Sequence, residues 1–398
     1  MEFNRKNAIT FVIVIVFSIL FIWIGNKTNQ TQILDSTSQN YYKAKVISIE
    51  NKDVETIQLN ETSTQQITTI QFKEKLLTGP NRGKTVTSIQ TLDSTYAKQH
   101  EEVKEGSKII TYYEPEVEGK TEQYSFAEYY RSDALIFLVA LFLILIVFIG
   151  RSKGFFTIVS LIITVLAIFC VFIPAIINGR NVYATTIVVS IFTILMTLLL
   201  INGWNKKTLC AILGNIGGIA VAGIIAIIMS KLLKVTGFVD EEYAFIMTAQ
   251  LKKPLDLIGL VWSGIVIGSL GAVMDVAMSI SSAMNELSEN MEKKSFKKML
   301  KSGMNIGRDA IGTMTNTLIL AYVGSSIATV LLLTMYSKNL MYLFNIEMIV
   351  VEVMQSIVGS LGILFAVPAT AVFAAYIFTK NDDSYLYSKK DDIGGIKI

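Results

Sequence analysis

The sequence predicts a polytopic α-helical membrane protein of about eight transmembrane helices, with a small extracytoplasmic all-β module, an OB-like barrel or sandwich, inserted after the first helix. Three observations lead there. The chain of 398 residues is 52% hydrophobic and only 17% charged, with a mean hydropathy of +0.51, which is too apolar for a soluble protein of that length. The apolar residues are unevenly spread: residues 26–131 are rich in Thr, Gln, Lys and Glu, whereas most of 132–379 is apolar. Within the polar part, short β-branched and aromatic runs alternate in polarity, the period of a half-buried strand.

Taken in order, Arg5 and Lys6 precede a stretch, Ala8 to Ile24, interrupted only by Thr10 and Ser18. No small-x-small cleavage pattern follows Trp23, so residues 1–25 read as an uncleaved signal anchor whose basic start stays in the cytoplasm. Strands are expected at 41–50, 65–77, 84–91 and 107–114, with "TGPNRG" at Thr78–Gly83 as a turn. The module spanning 26–131 offers no nucleophile–base pair, and Tyr112, Tyr113 and Tyr124 read as packing residues. Cys170 and Cys210 both fall in apolar spans, so this module folds without disulfides. His100, the single histidine, has no Cys, His or paired carboxylates around it. A zinc site is therefore not expected, and no cofactor is implied.

Seven further spans follow, near 133–150, 155–175, 182–202, 208–230, 256–282, 310–335 and 357–379. Arg151, Lys153, Lys206, Lys207, the group Lys293, Lys294, Lys297, Lys298, Lys301 and Arg308, and then Lys380, Lys389 and Lys390 mark the cytoplasmic loops. The outer loops hold Arg180 and Lys338. Lys231, Lys234, Lys252 and Lys253 run against the rule, in the company of Asp240, Glu241 and Glu242. Both termini are thus expected in the cytoplasm, with 26–131 outside, a seven-span bundle over 132–379 and a cytoplasmic tail at 380–398. Met284, Leu287, Met291, Phe296 and Leu300 against neighbouring lysines suggest an amphipathic helix near 284–307 resting on the inner leaflet. The net charge of +3 is spread through such loops, so no nucleic-acid partner is indicated.

The chemistry concentrates in two segments. Gly264, Gly268, Gly271, Asp275, Ser279, Ser282 and Glu286 follow one another at steps of 4, 3, 4, 4, 3 and 4, so they share one face of a helix. Small residues let a neighbouring helix approach, which suggests that this stripe packs into the bundle and takes Asp275 away from lipid. An ionised aspartate facing hydrocarbon costs about 2.5–3.5 kcal/mol on insertion scales. The next span, Gly307–Gly324, begins with Arg308 and places Asp309, Thr313 and Asn316 on one face. Glu352 and Gln355 precede "GSLG" at Gly359–Gly362, and Pro368 inside the apolar run suggests a short amphipathic piece joined to a broken helix. Asn215 among Gly214, Gly217 and Gly218 marks another close-packed face. Asp275, Arg308, Asp309, Thr313, Asn316 and Glu352 are therefore the candidate proton or ion path, with interhelical hydrogen bonding and a buried ion pair as the plain alternatives.

On these residues the chain resembles a known family. The segments "GSLGAVMDVAMSISSAMNEL" from Gly268 and "GRDAIGTMTNTLILAYVGSS" from Gly307, with "LTGPNRGKTV" at Leu77–Val86, are similar to signature segments of the YibE/YibF family of bacterial multi-pass membrane proteins. That resemblance implies the architecture and a bacterial cytoplasmic membrane, and carries no settled activity. A coarser similarity, of fold order alone, is to SecD/SecF and other RND-type proton-driven proteins, where Asp275 would match a membrane aspartate. The chain departs from that pattern in having eight spans in place of six per repeat, a short outer module and no second copy. The expected function is a secondary transporter or proton-coupled membrane machine acting on an unnamed small solute or ion. The alternative is a scaffold whose outer β-module binds a protein or cell-envelope partner. No HExxH, GxSG or paired catalytic aspartate motif is present, so an enzyme is not expected.

Overall fold

The computed structural model describes residues 5–29, 40–60, 63–93, 101–116, 122–248, 253–291, 294–336 and 339–393; His100, Lys252, Lys293 and Lys338 lie outside them. The chain forms two compact units, Gln32–Leu145 and the combination of Met1–Thr31 with Ile146–Ile398.

The first unit is built on five strands: β1 (Tyr41–Asn60), β2 (Ser63–Leu76), β3 (Thr85–Asp93), β4 (Lys108–Glu114) and β5 (Gln123–Tyr129). They close into a barrel in the order β1-β2-β3-β5-β4. Every pairing is antiparallel except β3 with β5. Closure removes free sheet edges and yields the Greek-key barrel of the OB type. The sequence reading found four of these strands and missed β5; it also ended β1 ten residues early. Alternate residues point inward, including Ala44, Val46, Ile70, Phe72, Leu76 and Ile109, and Val103 of the β3–β4 connection packs among them. Gly79, at φ 87° in the turn after β2, is required twice over: a Cβ there would lie 2.3 Å from the Tyr42 ring.

The barrel interior also holds polar groups, and they are paired. The Glu74 carboxylate accepts from Ser88 Oγ and Thr111 Oγ1, both at 2.7 Å. Burial pushes its pKa up, outweighing the two hydroxyls, which act the other way. Gln90 donates from Nε2 to the Glu101 carbonyl and accepts at Oε1 from the Val103 amide, which ties the β3–β4 connection to the wall. After β5, Asp133 lies between Lys108 at 2.6 Å and Lys43 at 3.6 Å.

The second unit is helical. Its elements are α1 (Arg5–Thr28), α2 (Ser132–Ala167, shared with the first unit), a π-helical turn (Ile168–Phe172), α3 (Ile173–Ile177), α4 (Val182–Asn202), α5 (Lys206–Leu232) and α6 (Glu241–Thr248). There follow α7 (Leu257–Asn290), α8 (Phe296–Ser325), α9 (Ile327–Tyr336), α10 (Leu340–Leu343) and α11 (Glu347–Ile393). Among the described residues, six helical runs are long and apolar enough to cross a membrane, and α8 with α9, bent by 56°, makes a seventh. One of the six, Ser132–Ile177, is itself broken at Arg151, where φ is 49°. A Cβ on Gly154 would lie 2.1 Å from the Ile146 carbonyl oxygen, whereas residues eight apart in a straight helix are about 12 Å apart. The chain therefore doubles back, and the spans expected at 133–150 and 155–175 are two limbs of one broken run.

Two other expectations are corrected. No separate amphipathic helix spans 284–307: α7 runs on to Asn290, and residues 296–307 are the opening turns of α8, with Met284 and Met299 fully buried. Those methionines pack between helices and leave the polar side chains outside, which produces the same periodicity as a surface-lying helix. Nor does Pro368 break its helix, because α11 continues through it; packed neighbours sustain a helix across the one lost backbone bond. The discontinuity falls instead at Ser326, between α8 and α9.

Small residues set how closely the central helices approach. A Cβ on Gly214 of α5 would lie 1.9 Å from Thr370 Oγ1 of α11, and one on Gly218 would lie 2.7 Å from the Gly362 carbonyl and 3.0 Å from Val273 of α7. Gly303 and Gly307 of α8 rest on Ala371 and Val367 of α11 in the same way. This is the close backbone contact that glycine and alanine permit between membrane helices. The first helix joins through aromatic stacks, Phe11 on Phe156 with ring centroids 4.2 Å apart and Phe21 on Phe192 at 4.0 Å.

Candidate functional site

Asp256 caps α7, its carboxylate accepting from the Gly259 amide at 2.8 Å. From there α7 packs against α4, α5, α8 and α11. Val261, Ile265, Val273, Val276, Ala277 and Ile280 are wholly buried by those neighbours. Gly264, Gly268, Gly271, Asp275, Ser279 and Glu286 are exposed, and Ser282 is half-buried. The stripe is thus the one open face of a helix enclosed on its other sides, which corrects the expectation that it packs into the bundle. The larger branched and sulfur-containing side chains make more van der Waals contact between packed helices than glycine and serine can. Nothing lies within 4 Å of a Cβ built on Gly264 or Gly271, and Gly268 alone meets a neighbour, the Tyr322 hydroxyl of α8 at 2.6 Å.

The polar face of α8 also turns outward. Met299, Gly303 and Gly307 are buried, while Arg308, Asp309, Thr313 and Asn316 are exposed. Thr313 Oγ1 donates to the Ala310 carbonyl and Thr317 Oγ1 to the Thr313 carbonyl, so each hydroxyl is satisfied within its own helix. Gly307 lies against Ile280 and Tyr322 against Gly268, a register that sets Asp275 level with Thr313. Even so, no hydrogen bond or ion pair joins Asp275 to Arg308, Asp309, Thr313 or Asn316 among the described residues. The expected meeting of these groups does not occur, because α8 presents its apolar side to α7 and α11 and its polar side away from them.

A second group gathers where α8 bends into α9. Glu352 is half-buried on α11, yet its Oε2 is shut from solvent and without a hydrogen-bond partner, and the same holds for Ser326 Oγ. Glu352 is within electrostatic reach of Tyr322 and of Tyr243 on α6. The Tyr243 hydroxyl is pushed above its ordinary value by burial first, then by Asp240 and Glu352. Glu347, a turn earlier on α11, is fully engaged, accepting from the amides of Thr236 and Gly237 and from Thr236 Oγ1. Deeper in the bundle Asn215 is fully buried with both ends of its amide unpartnered, and Ser190 Oγ is likewise alone. The residues not singled out from the sequence are Ser190, Tyr322 and Ser326; the run Gly324-Ser325-Ser326, a weak helix segment inside an apolar span, is the one signal for Tyr322 and Ser326. Among the described residues no three His, Cys, Asp or Glu side chains converge as metal ligands would.

No curated protein and no solved structure matches the chain. Residues 138–380, by contrast, match the family described as YibE/F-like protein. That stretch covers well over half of the chain and takes in the open stripe of α7, the polar face of α8 and the bend beside Glu352; the chain belongs to the YibE/F-like protein family.

Proposed function

We propose that the chain is a multi-pass protein of the bacterial cytoplasmic membrane that works as a proton-coupled secondary transporter, without enzymatic chemistry. Counting the two limbs at Arg151 separately and α8 with α9 as one crossing gives eight crossings, an even number that would leave both termini on one side; the basic loops favour the cytoplasm for that side and the exterior for the barrel. The observation that carries the reading is the enclosure of α7 on every face except the stripe that bears Asp275. A carboxylate facing acyl chains is costly by about 2.5–3.5 kcal/mol, so a helix that opens only there borders water or a moving element. Asp275 is the group that takes up and releases the proton. Arg308, Asp309, Thr313 and Asn316 on the adjoining face of α8 form the polar flank of the path, and Glu352 lies toward its outer end.

The test is proton movement into proteoliposomes under an imposed membrane potential, followed with a trapped pH dye. Wild-type protein is expected to acidify the lumen, and Asp275→Asn to abolish that signal while reconstituting normally. Undiminished flux in Asp275→Asn would sink the proposal. A second reading, a scaffold that holds a partner at the barrel, is favoured by one feature: among the described residues β1 and β2 continue as a two-stranded ribbon beyond Ile67, the last residue of β2 paired with β3, with Ile57 exposed on it. A scaffold shows no proton flux even in the wild type, and the same experiment separates the two.

A further inference from the structure

We infer that the bend between α8 and α9 and the facing turn of α11 form a binding site for a monovalent cation of sodium's size, held by the Glu352 carboxylate and the hydroxyls of Ser326 and Tyr322. Ser326 is only 7% exposed, and its Oγ and Glu352 Oε2 are both shut from solvent without a hydrogen-bond partner. Buried polar oxygens are ordinarily paired, so two unpartnered ones at one level of the bundle call for a partner. The two residues reach the same level of the bundle through packing already described. Moving up α8, Gly303 lies on Ala371, Gly307 on Val367 and Leu318 on Gly359. The same progression, carried to the bend, brings Ser326 opposite Val351 and Glu352. The Tyr322 carbonyl in the last turn of α8 accepts from the Ser326 amide and Ser325 Oγ; interrupted membrane helices can use the remaining carbonyls of such ends to hold cations.

The donor set decides the class of ion. It is all oxygen, with one carboxylate among neutral hydroxyls, and so balances a single positive charge. Divalent ions call for more carboxylates or for nitrogen and sulfur ligands, and no cluster of three such side chains exists among the described residues. Two acidic groups lie in the same region: Asp240, which accepts from the Tyr243 amide, and Glu347, which is engaged by Thr236 and Gly237. Neither Glu352 Oε2 nor Ser326 Oγ has a hydrogen-bond partner, so the two are not bonded to each other, and one cation between them would complete both. This site goes beyond proton exchange at Asp275 and is measurable without any flux.

The experiment is thermal unfolding of the purified full-length chain in detergent as sodium chloride replaces choline chloride at constant ionic strength, paired with equilibrium binding of radioactive sodium. Wild-type protein is expected to gain stability saturably with sodium, Glu352→Gln to lose that response, and Ser326→Ala to need on the order of tenfold more sodium for half the effect. Asp275→Asn is expected to bind sodium as the wild type does. The inference is overturned if the wild type shows no sodium-specific gain, if Glu352→Gln retains it, or if acidification in choline alone reproduces it. Should Glu352→Gln prove misfolded by gel filtration, the Ser326→Ala titration decides: an unchanged half-effect overturns the site.

Discussion

The barrel and the helical bundle both bury polar side chains, and they treat them in opposite ways. In the barrel, Glu74 has two hydroxyl donors and Gln90 uses both ends of its amide. In the bundle, Asn215, Ser190, Ser326 and Glu352 each keep at least one buried atom unpartnered, and among the described residues every such atom lies in the helical unit. Satisfied polar groups rigidify a core and specify one structure. Unsatisfied ones cost free energy unless another conformation, an ion or water completes them. The barrel reads as a finished support and the bundle as the part that does the work.

The largest effect that can break this contrast comes from packing. Gly218→Ile would force a branched side chain into the Gly362 carbonyl, Ala366 and Val273, with a cost of about 3 kcal/mol, the upper part of the overpacking range. It should lower the unfolding midpoint of the bundle sharply while leaving barrel amide protection unchanged. Loss of both together would show that the two units are not independent in stability. A smaller and sharper comparison pairs one polar truncation in each unit. Glu74→Ala strands Ser88 and Thr111 and opens a cavity, so it should destabilise the barrel by about 2–3 kcal/mol. Asn215→Ala removes atoms that have no partner, so it should be neutral or raise bundle stability by up to about 1 kcal/mol. A cost for Asn215→Ala equal to that for Glu74→Ala, in denaturant midpoints of the purified chain, would mean that Asn215 is paired after all.

Much of this was legible in the sequence, and the failures have physical causes. Alternation in "YYKAKVISIE" and "QQITTIQFKEKLL" placed β1 and β2, but the expected strand ends at Glu50, because the residues of "NKDVETIQLN" that follow are largely polar on both faces. They are so because residues 51–58 of β1 are exposed, the last of them in the two-stranded ribbon, where hydrogen bonds to β2 and not burial hold the strand. The stripe on α7 was read correctly as one face and wrongly as the packed one. Periodicity reports which residues share a face; it does not report which face is covered, and in a membrane bundle an apolar face can serve lipid or a neighbouring helix equally well. Pro368 drew attention as the break because proline removes a backbone donor, yet the helix that stops is α8, at Gly324 and Ser325 before Ser326.

The smallest effect expected is a dependence on pH, and its sign separates the two units again. Burial raises the pKa of Glu74 in the folded barrel above the value it has in the unfolded chain. Between those two values the folded state holds a proton that the unfolded state has released, so stability falls as pH rises. The contribution is fully present below the ordinary glutamate value and is lost once pH passes the raised value in the folded state. The barrel should therefore be more stable in mildly acidic than in neutral buffer, as read from hydrogen exchange of the β2 amides after correction for the intrinsic pH dependence of exchange. Glu74→Gln keeps one acceptor for a hydroxyl and has nothing to titrate, so it should flatten the profile. If the profile instead rises toward neutral pH in the wild type, the two hydroxyls outweigh burial, and the support would be held together by a charge where the fold indicates a proton.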